Sequence, residues 1–300
     1  MNKRKITNCP LCGSTHLERA MTCVDHYASH EVYYLCRCSE CSFLFTQDFP
    51  SGANMDRYYE TPAYISHSNT KKGVMNRVYH WVRSYMLWCK TRLVEREAHR
   101  RTGRLLDIGA GTGYFADAMR LREWEVEAVE RNKHARLFAK EHFDLTIQSE
   151  TALLEYTSGA FDVITLWHVM EHLENLNETW EQLNTLLGEK GTLVIAVPNN
   201  LSYDADVYGA YWAAYDVPRH LWHFTPSTMQ QFGSKHGFAL ASYWPMPFDA
   251  FYVSMLSEQY KNHSCAFLRG AVTGLKAWFH AWGNKEKSSS IIYVFRKKGI

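Results

Sequence analysis

Residues 105–115 read LLDIGAGTGYF, and this stretch decides how the chain folds. A short apolar run that contains Asp107 is followed by glycines at positions 109, 111 and 113. Glycine can adopt left-handed turns, and it lets the backbone approach a ligand closely. The stretch therefore predicts a buried strand, a ligand-binding turn and the beginning of a helix.

The glycine spacing separates two classes of ligand. The dinucleotide fingerprint requires a glycine at position 114, where the helix packs closely on the strand, and this chain has Tyr114. NAD and FAD are therefore disfavoured. The next apolar run ends in Glu130, 21 residues after Gly109, at the position of a ribose-binding carboxylate. The two features together predict a cofactor site with a ribose.

Strand and helix patterns alternate through the rest of the chain. Strands are predicted at RLLDIG, WEVEAVE, DLTIQ, FDVITLW, GTLVIAVP, FALASYWP and SSSIIYVFRK, with a helical insertion at about 249–284 before the last one. Such alternation is typical of βαβ units. We expect an α/β fold: a Rossmann-like, seven-stranded, mostly parallel sheet with helices on both faces, plus a small zinc-ribbon-like N-terminal module.

The glycine motif resembles motif I of the class I S-adenosylmethionine (SAM) methyltransferases. FDVITLWHVMEHL (161–173) and GEKGTLVIAVPN (188–199) resemble that family's fourth and fifth strands, and DVPRHLWHFTPSTMQQFGSKHGF (216–238) resembles a substrate-facing segment of one subgroup. The chain is identified as a member of a bacterial family with an N-terminal zinc-binding stretch, often linked to sugar or cell-surface chemistry. The resemblance implies SAM as cofactor, bound by Asp107, Gly109, Ala110, Gly111, Gly113, Tyr114, Glu130, Arg131, Trp167 and His168.

Six of the eight cysteines lie within the first 41 residues, and four of them form two CxxC pairs. Two such turns can complete a tetrahedral Zn²⁺ site, which predicts a structural zinc held by Cys9, Cys12, Cys38 and Cys41. Cys36 competes with Cys38 for one ligand position. A redox role for a CxxC pair is the alternative.

Methyl transfer from a sulfonium needs alignment and, for a hydroxyl or carbon-acid acceptor, a base. We predict that His220 is the base, that Asp216 orients it, and that Arg219 can hold a substrate phosphate or carboxylate. His168 is a second catalytic candidate. The alternative is that Asp216, Arg219 and His220 only fix their loop by hydrogen bonds.

Charge and composition limit the partners. The net charge is +2, and the first 50 residues carry as many acidic as basic residues, so no nucleic-acid partner is expected. Residues 71–104 contain ten basic and two acidic residues and include Trp81, Tyr85 and Trp88. This basic helix could contact an anionic membrane, steer an anionic substrate, or simply connect domains. No transmembrane segment or secretory signal is recognisable, which predicts a cytoplasmic protein.

These patterns divide the chain into three parts: a zinc-ribbon-like module (1–50), a tyrosine-rich lid and basic linker helix (51–102), and a methyltransferase domain (103–300). Tyr58, Tyr59 and Tyr64 belong either to the lid or to the packing between module and domain. The expected acceptor is a small polar molecule such as a sugar, a nucleotide-sugar or a cell-surface polysaccharide intermediate. The alternatives are a lipid- or quinone-like acceptor, or a SAM-binding module without catalysis. The sequence leaves the oligomeric state open.

Overall fold

This computed structural model describes residues 3–59, 74–246 and 248–299. Five short strands come first, and helices and strands alternate through most of the remainder. The strands are β1 (Lys3–Arg4), β2 (Leu17–Val24), β3 (Val32–Cys38), β4 (Leu44–Gln47), β5 (Phe49–Pro50), β6 (Arg104–Ile108), β7 (Glu125–Val129), β8 (Phe161–Trp167), β9 (Leu187–Pro198), β10 (Trp222–His223), β11 (Phe238–Pro245) and β12 (Ser290–Lys297). The α-helices are α1 (Val74–Ala98), α2 (Tyr114–Arg120), α3 (Lys133–Phe143), α4 (Leu176–Leu186), α5 (Tyr203–Tyr208), α6 (Pro226–Lys235), α7 (Asp249–Tyr260) and α8 (Ala266–Gly283).

The central sheet has the strand order β7–β6–β8–β9–β12–β11. β6 pairs in parallel with β7 and β8, and β8 pairs in parallel with β9. β12 runs antiparallel to both of its neighbours. The predicted Rossmann-like, mostly parallel sheet is confirmed, with six strands in the described part of the chain rather than seven.

The missing strand is DLTIQ (144–148), which forms only an isolated bridge between Val129 and Gln148. Its first residues complete the end of α3 instead. Asp144 adopts a φ of 49°, and the N–H of Leu145 donates to the Ala139 carbonyl at 3.3 Å. Too few residues remain to form a ladder, although the side chains of Leu145 and Ile147 are buried.

Two apolar cores lie on opposite faces of this sheet. Leu105 belongs to one core and Leu106 to the other, as the two-residue period of a strand requires. α1 and α2 contribute to the first core, and α4 contributes to the second together with Leu44 and Phe45 of β4. Because both faces are covered, the central strands read as nearly continuous apolar runs.

The N-terminal module (residues 3–50) packs directly on the loop that follows β9. Its strand β4 pairs with β10, so that Phe45 lies opposite Trp222 and Leu44 opposite His223. The ring of Phe43 lies 4.9 Å from that of Phe232 in α6. The module and the sheet domain therefore share a core, and the module supports the loop that contains His220.

α7 and α8 form a helical hairpin between β11 and β12. A Cβ atom added to Gly270 would lie 2.5 Å from the Met255 Cα, and one added to Gly274 would lie 2.7 Å from the Phe251 Cα. These glycines therefore allow the two helix backbones to approach closely. No helix in the described residues is long and apolar enough to cross a membrane.

Candidate active site

The glycine loop joins β6 to α2 at the carboxyl edge of the sheet. Gly109, Gly111 and Gly113 have φ values of 70°, 54° and 82°, in the left-handed region that favours glycine. A Cβ at Gly109 would lie 2.4 Å from the Val169 side chain, whereas a Cβ at Gly111 would meet no atom within 4 Å. Gly109 thus satisfies the packing of the protein, and Gly111 faces open space that a ligand can occupy.

The third glycine explains why the chain tolerates Tyr114. A Cβ at Gly113 would lie 3.0 Å from the Cβ of Ala139 in α3. Gly113 therefore allows the close packing that the dinucleotide fingerprint assigns to position 114. The Tyr114 ring packs instead on Phe143, at 4.9 Å between ring centroids, and under the Arg83 guanidinium.

Glu130 connects the glycine loop to the end of β7. Its Oε2 accepts the Gly111 N–H at 2.8 Å, and its Oε1 accepts the Asn132 N–H at 2.7 Å. Carboxylate oxygens carry further lone pairs, so Glu130 can still accept hydrogen bonds from a ribose diol. Arg131, also predicted to bind the cofactor, lies beside it and pairs with Asp56 at 2.5 Å.

Asp107 lies beneath the loop, and only 1% of its surface is exposed. Its Oδ1 accepts a hydrogen bond from the Thr165 hydroxyl at 2.7 Å. Burial raises the pKa of Asp107 to about 7, because the buried charged form is poorly solvated. Burial also lowers the pKa of Lys90 in α1, although the negative charges of Asp249 and Asp107 act to raise it. These buried charges connect α1 and the helical hairpin to the floor of the site.

Trp167 ends β8 next to this floor. Its ring lies 5.1 Å from the Phe115 ring, and the Lys90 ammonium lies 4.4 Å from its ring centroid. Its buried indole N–H finds no acceptor among the described residues. Ala110, the other predicted loop residue, packs against the small core beneath α3.

His168 is held between two carboxylates. Its Nε2 lies 3.1 Å from Asp249 Oδ2, and its Nδ1 lies 3.4 Å from Glu171 Oε1. Burial lowers the pKa of His168, but these two partners outweigh burial and raise the pKa to about 9. His168 is therefore protonated at neutral pH, which makes it a poor proton acceptor.

His220 lies next to His172, which follows Glu171 in the sequence. The two rings are 4.6 Å apart and edge to face. The Nδ1 of His220 donates to the Ala214 carbonyl at 2.8 Å, and the Nδ1 of His172 donates to the Arg219 carbonyl at 3.0 Å. Because carbonyls only accept hydrogen bonds, each Nδ1 carries a proton, and in a neutral ring with this arrangement the Nε2 atom carries the lone pair.

Burial lowers the pKa of His172 to about 4 and that of His223 to about 3, so both rings are neutral at pH 7. Glu171, His172 and His220 offer potential ligand or proton-transfer atoms that all lie within 4.8 Å of one another. We call these three residues the acceptor-side cluster. Its composition suits proton transfer from an acceptor.

Arg219 does not have the substrate-binding role predicted from the sequence. It is 2% exposed, and its guanidinium donates to Asp216 at 2.5 and 2.9 Å, to Asp25 at 3.0 Å and to the Tyr58 carbonyl at 3.3 Å. A guanidinium with these partners is already fully engaged within the protein. Arg219 therefore joins the N-terminal module to the His220 loop.

Asp216 is occupied by this ion pair. Its Oδ2 lies 3.9 Å from His220 Nε2, which is too long for a hydrogen bond. Burial raises the pKa of Asp216, but Arg219 outweighs burial and brings that pKa below its ordinary value. The hydrogen bond that orients His220 comes from the Ala214 carbonyl, and Asp216 acts on the ring only through its charge.

The four predicted zinc ligands lie together in the N-terminal module. The Sγ atoms of Cys9 and Cys41 are 3.4 Å apart, and those of Cys12 and Cys38 are 3.5 Å apart. All four lie within 4.8 Å of one another, and Cys36 is not among them. Tetrahedral Zn–S bonds of about 2.3 Å separate the sulfurs by about 3.8 Å, so four thiolates in this arrangement fit Zn²⁺ with no open coordination position.

The predicted tyrosines are placed differently from one another. Tyr58 is 1% exposed, and its hydroxyl contacts Tyr33 and Glu31, each at 2.7 Å. It belongs to the packing of the module. The Tyr59 hydroxyl lies 3.1 Å from His172 Nδ1, beside the acceptor-side cluster. Tyr64 lies outside the described residues.

Sequence reasoning missed two features of this site. Asp249 begins α7, about 80 residues after His168, and no motif marks it as a partner of that histidine. Glu171, predicted only as part of a resembling motif, has no exposed surface and no hydrogen-bond partner for either oxygen among the described residues, apart from the nearby His168 ring. The structure reveals such a buried carboxylate through the groups that surround it. The spacing of residues in the sequence does not.

The position of His168 between Asp249 and Glu171, which we call the His168 clamp, predicts that the free energy of unfolding depends on pH. The histidine pKa is about 6.5 in an unfolded chain and about 9 in the folded protein. Its stabilisation is therefore complete below pH 6.5 and is lost as the pH rises through 9. Urea unfolding between pH 6 and pH 10 should show wild type losing stability relative to His168→Gln. The exposed His134→Gln serves as control, and parallel curves for wild type and His168→Gln would contradict the clamp.

Comparison with known proteins agrees with this geometry. A profile of the family described as "Methyltransferase domain" matches residues 80–243, which is more than half of the chain. The mitochondrial ubiquinone biosynthesis O-methyltransferase of Saccharomyces cerevisiae is 30% identical over 107 residues, which are 32% of this chain and 33% of that protein. The ubiquinone biosynthesis O-methyltransferase of Xanthomonas campestris pv. campestris is 29% identical over 130 residues, 40% of this chain and 54% of that protein.

The matched part of the chain thus spans about a third of the length of the first relative and about half of the length of the second. Among solved structures, Burkholderia thailandensis 1,6-didemethyltoxoflavin-N1-methyltransferase, with bound 1,6-didemethyltoxoflavin and S-adenosylhomocysteine, aligns with a TM-score of 0.50. The alignment covers 87% of this chain and 98% of that one at 12% identity, and shows the shared fold. The predicted resemblance to class I SAM methyltransferases is confirmed. The zinc-binding subgroup stays a prediction, because the family profile begins at residue 80.

Proposed function

Because the chain belongs to the methyltransferase domain family, we propose that it transfers a methyl group from SAM to a small polar acceptor. Residues 103–300 form the catalytic domain in this proposal, and residues 1–50 and 51–102 form a zinc module and a linker. The observation that carries the proposal is the position of Gly111, which faces open space while its N–H is held by Glu130.

SAM would be held at the carboxyl edge of the sheet. The backbone of residues 109–113 would approach its methionine part, since glycines admit a close ligand and the beginning of α2 favours its carboxylate. Glu130 would accept hydrogen bonds from the ribose hydroxyls. When bound, SAM supplies a methyl group on a positively charged sulfur. The chain's own residues have to align the acceptor and remove its proton.

His220 is the proton acceptor in this proposal. His220 Nε2 would take up the proton of an acceptor hydroxyl as that oxygen gains the methyl group that SAM would supply. The Ala214 carbonyl fixes the ring so that this atom carries the lone pair. His168, protonated between Asp249 and Glu171, positions the end of β8 against the helical hairpin.

A polar acceptor suits the acceptor-side cluster, since Glu171, His172 and His220 offer charge and hydrogen bonds. A sugar, a nucleotide-sugar or a surface-polysaccharide intermediate belongs to this class. A second candidate is a quinone- or lipid-like acceptor that carries a hydroxyl group. It is supported by the partial similarity to two ubiquinone biosynthesis O-methyltransferases.

We also propose that Cys9, Cys12, Cys38 and Cys41 bind one structural Zn²⁺. Because β4 pairs with β10 and Asp25 pairs with Arg219, loss of the metal would loosen the loop that presents His220. Elemental analysis should give one zinc per chain, and Cys38→Ser should lower the zinc content, the melting temperature and the methyl-transfer rate. Cys265→Ser, at an exposed cysteine outside the module, is the control. A zinc-free wild type with full activity would contradict this role.

Radioactive methyl transfer tests the function directly. Purified protein is incubated with methyl-labelled SAM and a panel of sugars, nucleotide-sugars and hydroquinones, and labelled product is counted. Turnover of one acceptor class, absent with His220→Gln, is the expected result. Binding of SAM without turnover on any acceptor of either class would favour a SAM-binding module without catalysis.

A further inference from the structure

The outward face of α8 is covered by large apolar side chains. The buried side of α8 consists of small residues, Gly270, Gly274, Ala277 and Ala281, and the two glycines pack on α7. The exposed side carries Phe267, Leu268, Val272, Leu275, Trp278, Phe279 and Trp282, and Trp282 is 77% exposed. A surface helix of a soluble domain normally has the reverse arrangement. A contiguous apolar face of this kind marks an interaction surface.

The aromatic residues of this face form a cluster at the end of α8. The rings of Trp278 and Trp282 are 5.5 Å apart, and those of Trp278 and Phe279 are 5.4 Å apart. Tryptophan is enriched where a protein meets a membrane–water interface, because its ring is apolar and its N–H is polar. The cluster therefore has the chemistry of an interfacial anchor.

A second exposed aromatic row lies on α1. Trp81 and Trp88 are exposed, and the Trp81 ring stacks on Tyr85 at 5.9 Å. Tyr85 also meets Phe248, at the beginning of the helical hairpin, with ring centroids 5.9 Å apart. The basic helix and the hairpin therefore contact each other, and both present aromatic side chains to solvent.

The charges favour an anionic surface over a second copy of the chain. α8 contains Arg269 and Lys276 and no acidic residue, and Lys285, Glu286 and Lys287 follow it. Arg269 pairs with Glu258 at 3.4 Å but remains 57% exposed. In a two-fold contact between copies, each cation near the axis would face cations of its partner, which is unfavourable. Anionic lipid headgroups attract the same residues.

We propose that the outward face of α8, together with the aromatic row of α1, docks on the surface of an anionic lipid bilayer. The helix lies in the interface with its apolar side chains inserted and Lys276 at headgroup level. This docking does not depend on the identity of the acceptor. It would place the acceptor-side cluster near a membrane, where a lipid-borne acceptor could be reached.

Vesicle flotation tests the proposal with the full-length protein. We expect the protein to float with phosphatidylcholine vesicles containing phosphatidylglycerol, at least about tenfold more than with phosphatidylcholine alone. Trp278→Glu combined with Trp282→Glu should abolish flotation, and Lys276→Glu should weaken it on the anionic vesicles. Leu154→Glu, at a side chain 84% exposed on another surface, is the matched control.

Light scattering without vesicles measures the oligomeric state and tests the alternative, self-association through α8. A wild-type dimer that Trp282→Glu dissociates, combined with no flotation on either vesicle, would overturn the proposal in favour of self-association. Failure of the monomeric wild type to float would overturn it as well. Methyl transfer to a soluble acceptor should be the same in the double tryptophan variant and the wild type. A failed docking result therefore leaves the proposed enzymatic function testable by itself.

Discussion

Replacing Gly111 by leucine will abolish SAM binding while the protein stays folded. The Cβ at this position would meet no protein atom within 4 Å, so the new side chain occupies the space proposed for the cofactor. We expect a loss of affinity on the order of 100-fold or more, measured by calorimetric titration with SAM. The φ of 54° adds backbone strain of about 1–2 kcal/mol.

A matched variant distinguishes the steric exclusion of SAM from the effect of backbone strain. Gly159 has a φ of 69°, lies in an exposed turn, and would place a Cβ no closer than 3.9 Å to another atom. Gly159→Leu should therefore lose a similar stability in urea unfolding and retain wild-type SAM affinity. Undiminished SAM binding by Gly111→Leu would show that the cofactor does not lie against the glycine loop.

Replacing His220 by glutamine will reduce the methyl-transfer rate by about 10²- to 10⁴-fold, the usual contribution of a general base. Glutamine can still donate a hydrogen bond to the Ala214 carbonyl, but it cannot take up a proton at neutral pH. SAM affinity should be unchanged, because His220 is proposed to face the acceptor and not the cofactor. Single-turnover kinetics with labelled SAM measures the chemical step.

His223→Gln is a useful comparison for this variant. His223 is buried, and its Nε2 lies 3.1 Å from the Thr46 hydroxyl, so its replacement should lower stability more than the catalytic rate. If His220→Gln transfers methyl groups within threefold of the wild-type rate, the acceptor must lose its proton by another route. The role of His220 would then be limited to fixing its loop.

The sequence predicted the position of the glycine loop and Glu130 better than the surroundings of His220. The glycine loop, β6 and Glu130 are local features, and their spacing follows from the geometry of one βαβ unit. Glu130 accordingly lies where its position in the sequence predicts, with Gly111 as its hydrogen-bond donor. The prediction of a strand at 144–148 was wrong, because its first residues form the end of α3.

The acceptor side depends on long-range contacts that spacing does not encode. His172 and His220 are 48 residues apart, and Asp249 reaches His168 from the helical hairpin. Arg219 was expected to hold a substrate phosphate or carboxylate, because a guanidinium suits such anions. Its actual partners include Asp25, 194 positions earlier in the chain, and no local pattern predicts that contact.

Calorimetric titration of the wild-type protein with SAM, S-adenosylhomocysteine and NAD, beside Glu130→Ala, tests the central claim most directly. The account predicts saturable binding of SAM and S-adenosylhomocysteine, no binding of NAD, and loss of both signals in Glu130→Ala, because this variant lacks the carboxylate at the proposed ribose site. The absence of SAM binding to wild type at millimolar concentration, or equal binding by Glu130→Ala, would contradict it.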